Sequence, residues 1–358
     1  MTNLAVLFGG LSNEHEISCL SAASVLRNID HERFRTWPVG ITREGRWFLY
    51  ENADPDRVQD GSWIQHPSLV PVLFSPDRSV HGLYLRGESG SAEIPLDCVF
   101  PVLHGAGGED GAIQGLCQLA GIPCVGPGVA ASANSFDKSL TKAVVERIGV
   151  RQAACYLAQA DAFARDPQAT AEAAAAAVGS WPVFIKPCSS GSSVGVTAAH
   201  DTAALCAGLE EAFRWDGKAL VEEYINGREI EVAVLGNQQP VASVAGEIAP
   251  TQDFYTFDAK YHDETSQLFI PARIPDEAME RVREYAVRIF AALGCRGLSR
   301  VDFFCTYRDN EIIFNEINTI PGFTSISMYP KLFDHAGISF TDLISRLVDL
   351  AMEDAAHG

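Results

Sequence analysis

Cysteines at metal-binding or redox spacing are missing. Nine cysteines stand singly at 19, 98, 117, 124, 155, 188, 206, 295 and 305. Their number is odd and no CxxC occurs, which argues against a disulfide framework and a zinc cluster. Several lie in apolar runs and read as buried thiols. Basic residues are also scarce: 27 Lys and Arg face 46 Asp and Glu, a formal charge of −19. Nonspecific DNA or RNA binding needs basic surface, so nucleic-acid partners are not expected. A few local lysines can still hold an anionic small ligand, while most of the acid serves solubility. No run approaches the ~18–20 apolar residues of a membrane span. The opening "MTNLAVLFGG" has no basic segment before its short apolar run and does not read as a signal peptide. A reduced, cytoplasmic protein is expected. The G-x-x-x-x-G-K-[ST] of P-loop proteins, H-E-x-x-H and a full G-x-G-x-x-G are absent too.

What is present fits two to three domains in 358 residues. "NLAVLF" reads as a buried parallel strand, followed by a Gly-Gly turn and a helix near 17–28. Strands at 37–42, 45–50 and 97–103, with a helix near 112–120, suggest an open α/β sheet. Residues 51–95 read as an irregular or hairpin insertion. The stretch from 128 to 150 is largely helical, and an alanine-rich helix follows at 169–178. "WPVFIKP" and "VGVTAA" read as strands joined by a Gly/Ser loop, with another strand at 218–225. The remainder alternates strands near 229–235, 241–247, 298–305 and 311–317 with helices near 275–293 and 339–353. The class is α/β, turning to α+β in the C-terminal half. Units of 1–125, 126–226 and 227–358 are expected.

Three stretches carry chemistry. "SRVDFFCTYRDNEIIFNEIN" reads as a β-hairpin whose turn, centred near 309, sets Asp302 opposite Glu316. Residues that face each other or alternate along a strand share a face, so Asp302, Glu316, Asn318 and Arg300 should converge. Three oxygen donors without histidine suit Mg²⁺ or Mn²⁺, partly hydrated for a phosphate ligand; a solvated face with a salt bridge is the plainer reading. In "FIKPCSSGSSVGV", Lys186 ends a strand, and a loop with Ser192 and Ser193 can offer N–H and hydroxyl donors to phosphates. An ordinary hairpin loop has the same look. The polar stretch 249–270 holds Phe254, Lys260 and Tyr261; its aromatics favour a lid over disorder. Glu14, His15 and Glu16, and later "HGAGGEDG", follow strands where open α/β sheets place ligands. A helix start and a Gly-rich turn are the bland alternatives, as a surface lysine is for Lys138.

Eight blocks in order resemble the D-alanine–D-alanine ligases of the ATP-grasp superfamily: "FGGLSNEHEIS", "HGAGGEDGAIQG", "GVAASANSFDKSLTK", "FIKPCSSGSSVGV", "VEEYINGREIEV", "FYTFDAKY", "GLSRVDFF" and "NEINTIPGFTSISMYP". The resemblance implies an N-terminal substrate domain, two domains gripping ATP, a homodimer and a role in peptidoglycan precursor synthesis. It implies that Lys138, Lys186 and Lys260 contact phosphates and that Asp302, Glu316 and Asn318 hold the metals, two ions by this reading. Arg300 and the Gly322 N–H would stabilise the reacting centre. Glu222, Glu223, Ile225 and Glu229 match the adenine and ribose wall, with Phe254 and Phe304 around the ring. Glu16 would hold the ammonium of the first D-alanine, linked to Ser192 and Tyr261; Ser327 and the Met328 backbone would bind the second. "PVGITREGRWFLY", "SWIQ" and "IPARI" are similar to a D-serine branch of the family, whereas "AKY" and Met328 are similar to its D-alanine members.

Overall fold

The computed structural model describes residues 1–87, 90–249 and 267–357, and their strands form three sheets. The first sheet is built on three parallel strands, Thr2–Gly9 between Phe34–Ile41 and Cys98–Pro101. A strand covered on both faces is apolar without alternation, and Leu4 through Phe8 are all fully buried. Helix His15–Asn28 makes the crossover between the first two strands. The 51–95 region is more regular than its composition suggests. Strands Val70–Phe74, Gly82–Gly87 and Gly90–Pro95 continue the sheet antiparallel beyond Trp47–Leu49. Trp63 anchors this extension by packing edge-on to Phe8, with ring centroids 5.0 Å apart. It lies so close to Gly40 that a Cβ there would come within 2.3 Å of the indole.

The second sheet runs in the order Thr197–Ala199, Val183–Pro187, Lys218–Glu223, Cys155–Gln159, all antiparallel. Helix Pro167–Val178 is the alanine-rich one. Ala171 and Ala174 pack in one core with Leu205 and Leu209 of the neighbouring helix Thr202–Ala212. Ahead of this sheet, the helical stretch breaks at Asp137 into Val129–Phe136 and Lys138–Arg147. The Asp137 carboxylate accepts from the Ser139 and Leu140 N–H groups, as an N-cap should. That cap puts Lys138 on the first turn and Lys142 directly beneath it, one turn on.

The third sheet is antiparallel, in the order Gln267–Phe269, Val241–Ala249, Gly227–Leu235, Leu298–Thr306, Ile312–Asn318. Both ends of the expected 249–270 loop are thus strand: Ala249 pairs with Gln267. Helix Asp276–Ala292 covers one face through Val282, Ala286, Ile289 and Phe290.

The last helix, Phe340–His357, packs elsewhere. Leu343, Ile344, Leu347 and Val348 share a core with Leu4, Val6, Phe8 and Phe100 of the first sheet. Among the described residues no helix is long and apolar enough to cross a membrane. Leu347 is fully buried where the two chain ends meet. Leu347→Ala should cost about 2–5 kcal/mol of stability, read as a lower urea midpoint; a loss below 1 kcal/mol would show that the helix is not part of that core.

Candidate active site

A cleft of about 660 Å³ lies between the second and third sheets and reaches the loops of the first. Small-molecule sites span roughly 300–1,000 Å³, so its size suits a nucleotide-sized ligand. Its floor is the hairpin of Leu298–Thr306 and Ile312–Asn318, where Asp302 pairs with Glu316 and Arg300 with Asn318. The strand arithmetic therefore holds at the acidic end. Beyond it the register shifts, because Phe303 pairs with Phe314 and leaves Asn315 as an extra residue. A bulge re-aims side chains, and Asn315 lines the cleft beside Glu316.

Next to this hairpin, Glu231 sits opposite Asp302 on the adjoining strand. Glu231, Asp302 and Glu316 thus form a row across three strands. Arg300 is buried among them. Its Nε and Nη2 donate to Asp302 at 2.8 and 2.7 Å, and its Nε lies 3.2 Å from Glu231. Asn318 Nδ2 donates to Asp302 at 2.9 Å. Two carboxylates and an amide make an oxygen set that fits a hard cation needing further ligands from phosphate and water. A half-turn of the Asn318 amide presents its oxygen. Glu231 holds Arg300 from behind; the turn after its strand leads to Val241–Ala249, so no turn in the sequence sets it opposite Asp302.

The opposite wall carries the lysines. Lys138 Nζ donates to the Ser190 carbonyl at 2.6 Å. Lys186 reaches Asn315 Oδ1 at 3.1 Å and Glu222 at 2.7 Å. The other Glu222 oxygen takes Lys142 at 2.6 Å. Burial alone would push the Glu222 carboxyl up, but Lys186 and Lys142 outweigh it and hold the group at about 2. Its carboxylate therefore serves both lysines. Between these walls the Gly/Ser loop carries Ser192 and Ser193 at φ of +51° and +58°. Non-glycine residues in that region concentrate at functional sites.

The structure places one expected residue away from the cleft. Glu16 is exposed and pairs with Arg43 on the outer surface. Glu14 is the residue that faces the cleft, 7% exposed, where its carboxylate accepts the Ser192 hydroxyl. Two residues at a helix start are separated by about 200° of rotation, so only one of the pair can point inward. Gly191 permits the contact, since a Cβ there would come within 2.5 Å of the Glu14 carboxylate.

Two neighbours from "HGAGGEDG" join Glu14. His104 is buried; its Nδ1 lies 3.0 Å from the Ile320 carbonyl and so carries the proton. Nε2 then accepts from Ser21 Oγ at 3.1 Å. Burial holds this imidazole below its ordinary pKa, in the neutral form. Glu109 accepts the Gly105 N–H at 2.8 Å and the Ile320 N–H at 3.3 Å, while its poor solvation and the Glu14 charge push its carboxyl up. The glycines of the motif had signalled a ligand turn, but not which of its polar residues face inward.

At the far end, Ile225, Glu229 and Phe304 line the cleft with Phe184, whose ring stands 6.0 Å from that of Tyr224. Glu223 accepts the Ala154 N–H at 2.9 Å, fixing the segment joining the walls. Gly322 lines the near end, and Ser327 lies behind it, accepting the Thr324 N–H at 3.0 Å. The Met328 side chain is buried against Gly246, so its thioether does not face the cleft. Phe254, Lys260 and Tyr261 lie outside the described residues.

The sheets and cleft are those of an ATP-grasp fold. The family model for the D-ala D-ala ligase N-terminus matches residues 3–127, and that for the D-ala D-ala ligase C-terminus matches 144–349. The chain is 46% identical over 355 residues to a D-alanine–D-alanine ligase of Clostridium novyi (strain NT), covering 98% of each. It is similar to the crystal structure of the VanG D-Ala:D-Ser ligase from Enterococcus faecalis, with TM-score 0.88 and 39% identity over 98% of this chain and 99% of that one. It is also similar to the structure of the D-alanine-D-alanine ligase from Coxiella burnetii, with TM-score 0.85 and 32% identity over 100% and 97%. The chain belongs to the D-alanine–D-alanine ligase family.

Glu222 gives a pH prediction. Its folded value of about 2 lies below the ordinary 4.5, so its pairing stabilises fully above 4.5 and is lost as pH falls through 2. Glu222→Gln should cost about 3–5 kcal/mol at neutral pH, and its gap from wild type should narrow between those values. Urea melts across pH read this; a gap independent of pH would contradict it.

Proposed function

We propose that this chain joins two D-alanines into D-alanyl-D-alanine with ATP, for peptidoglycan precursor synthesis in the cytoplasm. One observation carries the reading. A single cleft gathers cationic side chains, Glu316 and Asn318 beside the buried Asp302 and, at its other end, the Glu14–Ser192 pair. Phosphoryl transfer to an amino acid needs such an arrangement: cations at the phosphates, oxygen donors for a metal, and an acid for the ammonium.

A carboxylate is a poor acceptor for an amine. Transfer of the ATP γ-phosphoryl group to the carboxylate of the first D-alanine releases ADP and gives an acyl phosphate. The amine of the second D-alanine attacks the acyl carbon and loses a proton as the amide forms; phosphate leaves with the C–O electron pair. Lys138, Lys186 and Ser193 receive the phosphates, and Lys260 joins them by family resemblance. Arg300, aligned by Asp302 and Glu231, steadies the transferring group, and the Gly322 N–H serves the tetrahedral intermediate. Asp302, Glu316 and Asn318 would hold the divalent ions, two of magnesium or manganese, which when bound neutralise phosphate charge. The Glu222 and Glu223 backbone, Ile225, Glu229 and Phe304 enclose the nucleoside, with Phe254 as the expected second ring. Glu14, in the role first expected of Glu16, takes the ammonium of the first D-alanine with Ser192, and Tyr261 completes that group. Ser327 and the Met328 backbone receive the second D-alanine. The units 1–125, 126–226 and 227–358 act as three domains, and the chain works as a homodimer.

A second reading, D-serine as acceptor, is favoured by the likeness to VanG and by "PVGITREGRWFLY". Phosphate release from Mg-ATP with D-alanine, alone and with D-serine, should yield D-alanyl-D-alanine as the main product by mass. Mainly D-alanyl-D-serine would replace the acceptor; no amino-acid-dependent phosphate release would remove the ligase reading. Glu14→Gln should raise the KM for D-alanine by about ten-fold or more, the worth of a hydrogen bond to a charged group. Glu16→Gln should leave it near wild type; the reverse pattern would restore Glu16 to the role.

A further inference from the structure

Lys142 has no place in the chemistry above. Its side chain is 7% exposed and does not line the cleft. It is nonetheless fixed with care: its ammonium meets Glu222 Oε1, and its carbonyl accepts Gln152 Nε2 at 2.9 Å. Burying an ammonium is costly unless a partner repays it. A leucine or methionine would fill the same space more cheaply.

We propose that Lys142 is a positioning residue that makes Lys186 available to a polyphosphate by sharing the Glu222 carboxylate. This rests on the reading that ATP phosphates bind at Lys186. Glu222 divides its two oxygens, Oε1 to Lys142 and Oε2 to Lys186, and Lys186 alone of the three reaches toward Asn315 in the opposite sheet. Without Lys142, Lys186 and Glu222 form a neutral pair. An approaching phosphate then meets no net attraction from them. Drawing Lys186 away would also strand a buried carboxylate. With Lys142 present the trio carries one net positive charge, and Glu222 keeps a partner when Lys186 turns to the phosphate. The spacing in "FDKSLTK" follows from this. Residues i and i+4 share a helix face, so Lys138 reaches the cleft loop while Lys142 works one turn behind it.

The test is calorimetric binding of Mg-ATP and of adenosine, which has no phosphate, to the intact chain and its variants. Wild type should bind Mg-ATP; failure there removes the nucleotide reading itself, and with it this proposal. Lys142→Met should weaken Mg-ATP by about ten-fold or more, as loss of one partner of a buried pair does, and leave adenosine within about two-fold. Lys142→Arg should recover most of the loss. In a Glu222→Gln background, where there is no charge to share, Lys142→Met should change Mg-ATP affinity by less than about two-fold. That comparison stands even if the single Lys142→Met variant fails to fold. Unchanged Mg-ATP affinity in Lys142→Met, equal losses for adenosine and Mg-ATP, or a further large loss in the Glu222→Gln background would each overturn the proposal.

Discussion

The register between Leu298–Thr306 and Ile312–Asn318 decides which side chains meet in the cleft. Strand side chains alternate with a period of two, so a slip of one residue in Ile312–Asn318 would send Glu316 and Asn318 away from Arg300 and Asp302 to the opposite face. That face packs on helix Asp276–Ala292 and is mostly apolar, with Val301, Phe303, Phe314 and Ile317 buried there. A slipped register would bury Glu316 and Asn318 and turn Phe314 and Ile317 out of the core. The core behind the sheet thus enforces the geometry in front of it. The bulge at Asn315 is compatible with this because it shifts the pairing only after the acidic residues are in place.

The chain as a whole is strongly acidic, yet its cleft is built around fixed cations. Most of these cations have a carboxylate partner: Lys186 and Lys142 share Glu222, Arg300 lies between Glu231 and Asp302, and Lys218 meets Asp137 beneath the loop, while Lys138 is held by the Ser190 carbonyl. The partners restrict where each charge can sit before a ligand arrives. Orientation settled during folding need not be settled again during reaction, which is how polar sites stabilise developing charge. Bulk composition and site chemistry are therefore separate properties here. The net charge governs solubility and the partners the surface repels, while a few buried pairs govern what the cleft attracts.

Asp302 and Glu316 were legible in the sequence because a hairpin with a recognisable turn reduces the question to counting. Lys186 was legible because a lysine closing an apolar strand before a Gly/Ser loop is unusual. Other features were hidden for definite reasons. Glu14 and Glu16 differ by the phase of a helix start, and "EHE" does not say where the helix begins. Lys142 looks like any lysine on an amphipathic helix until the strand carrying Glu222 is packed against it. Glu231 meets Asp302 across a strand pair distant in the chain, so no local count could place it. In the 51–95 region the hairpin reading is the one the structure bears out, but its strand bounds were hidden because Pro, Asp and Gly dominate the connections. The helices at 112–120 and 276–292, set by periodicity and nearby glycine or proline, came out within a residue or two.

The placement of helix Phe340–His357 bears on how the chain is made. It covers the first sheet from the far end of the sequence; its outer edge is tied down by Arg33 and Asp349, residues 316 positions apart. On a ribosome the sheet forms long before its cover exists, because contacts of such separation must wait for the chain between them. During that interval the apolar underside of the strands is open to other hydrophobic surfaces, the condition under which nascent chains aggregate or engage chaperones. A chain released before residue 340 would keep that surface exposed, however well its nucleotide cleft had formed.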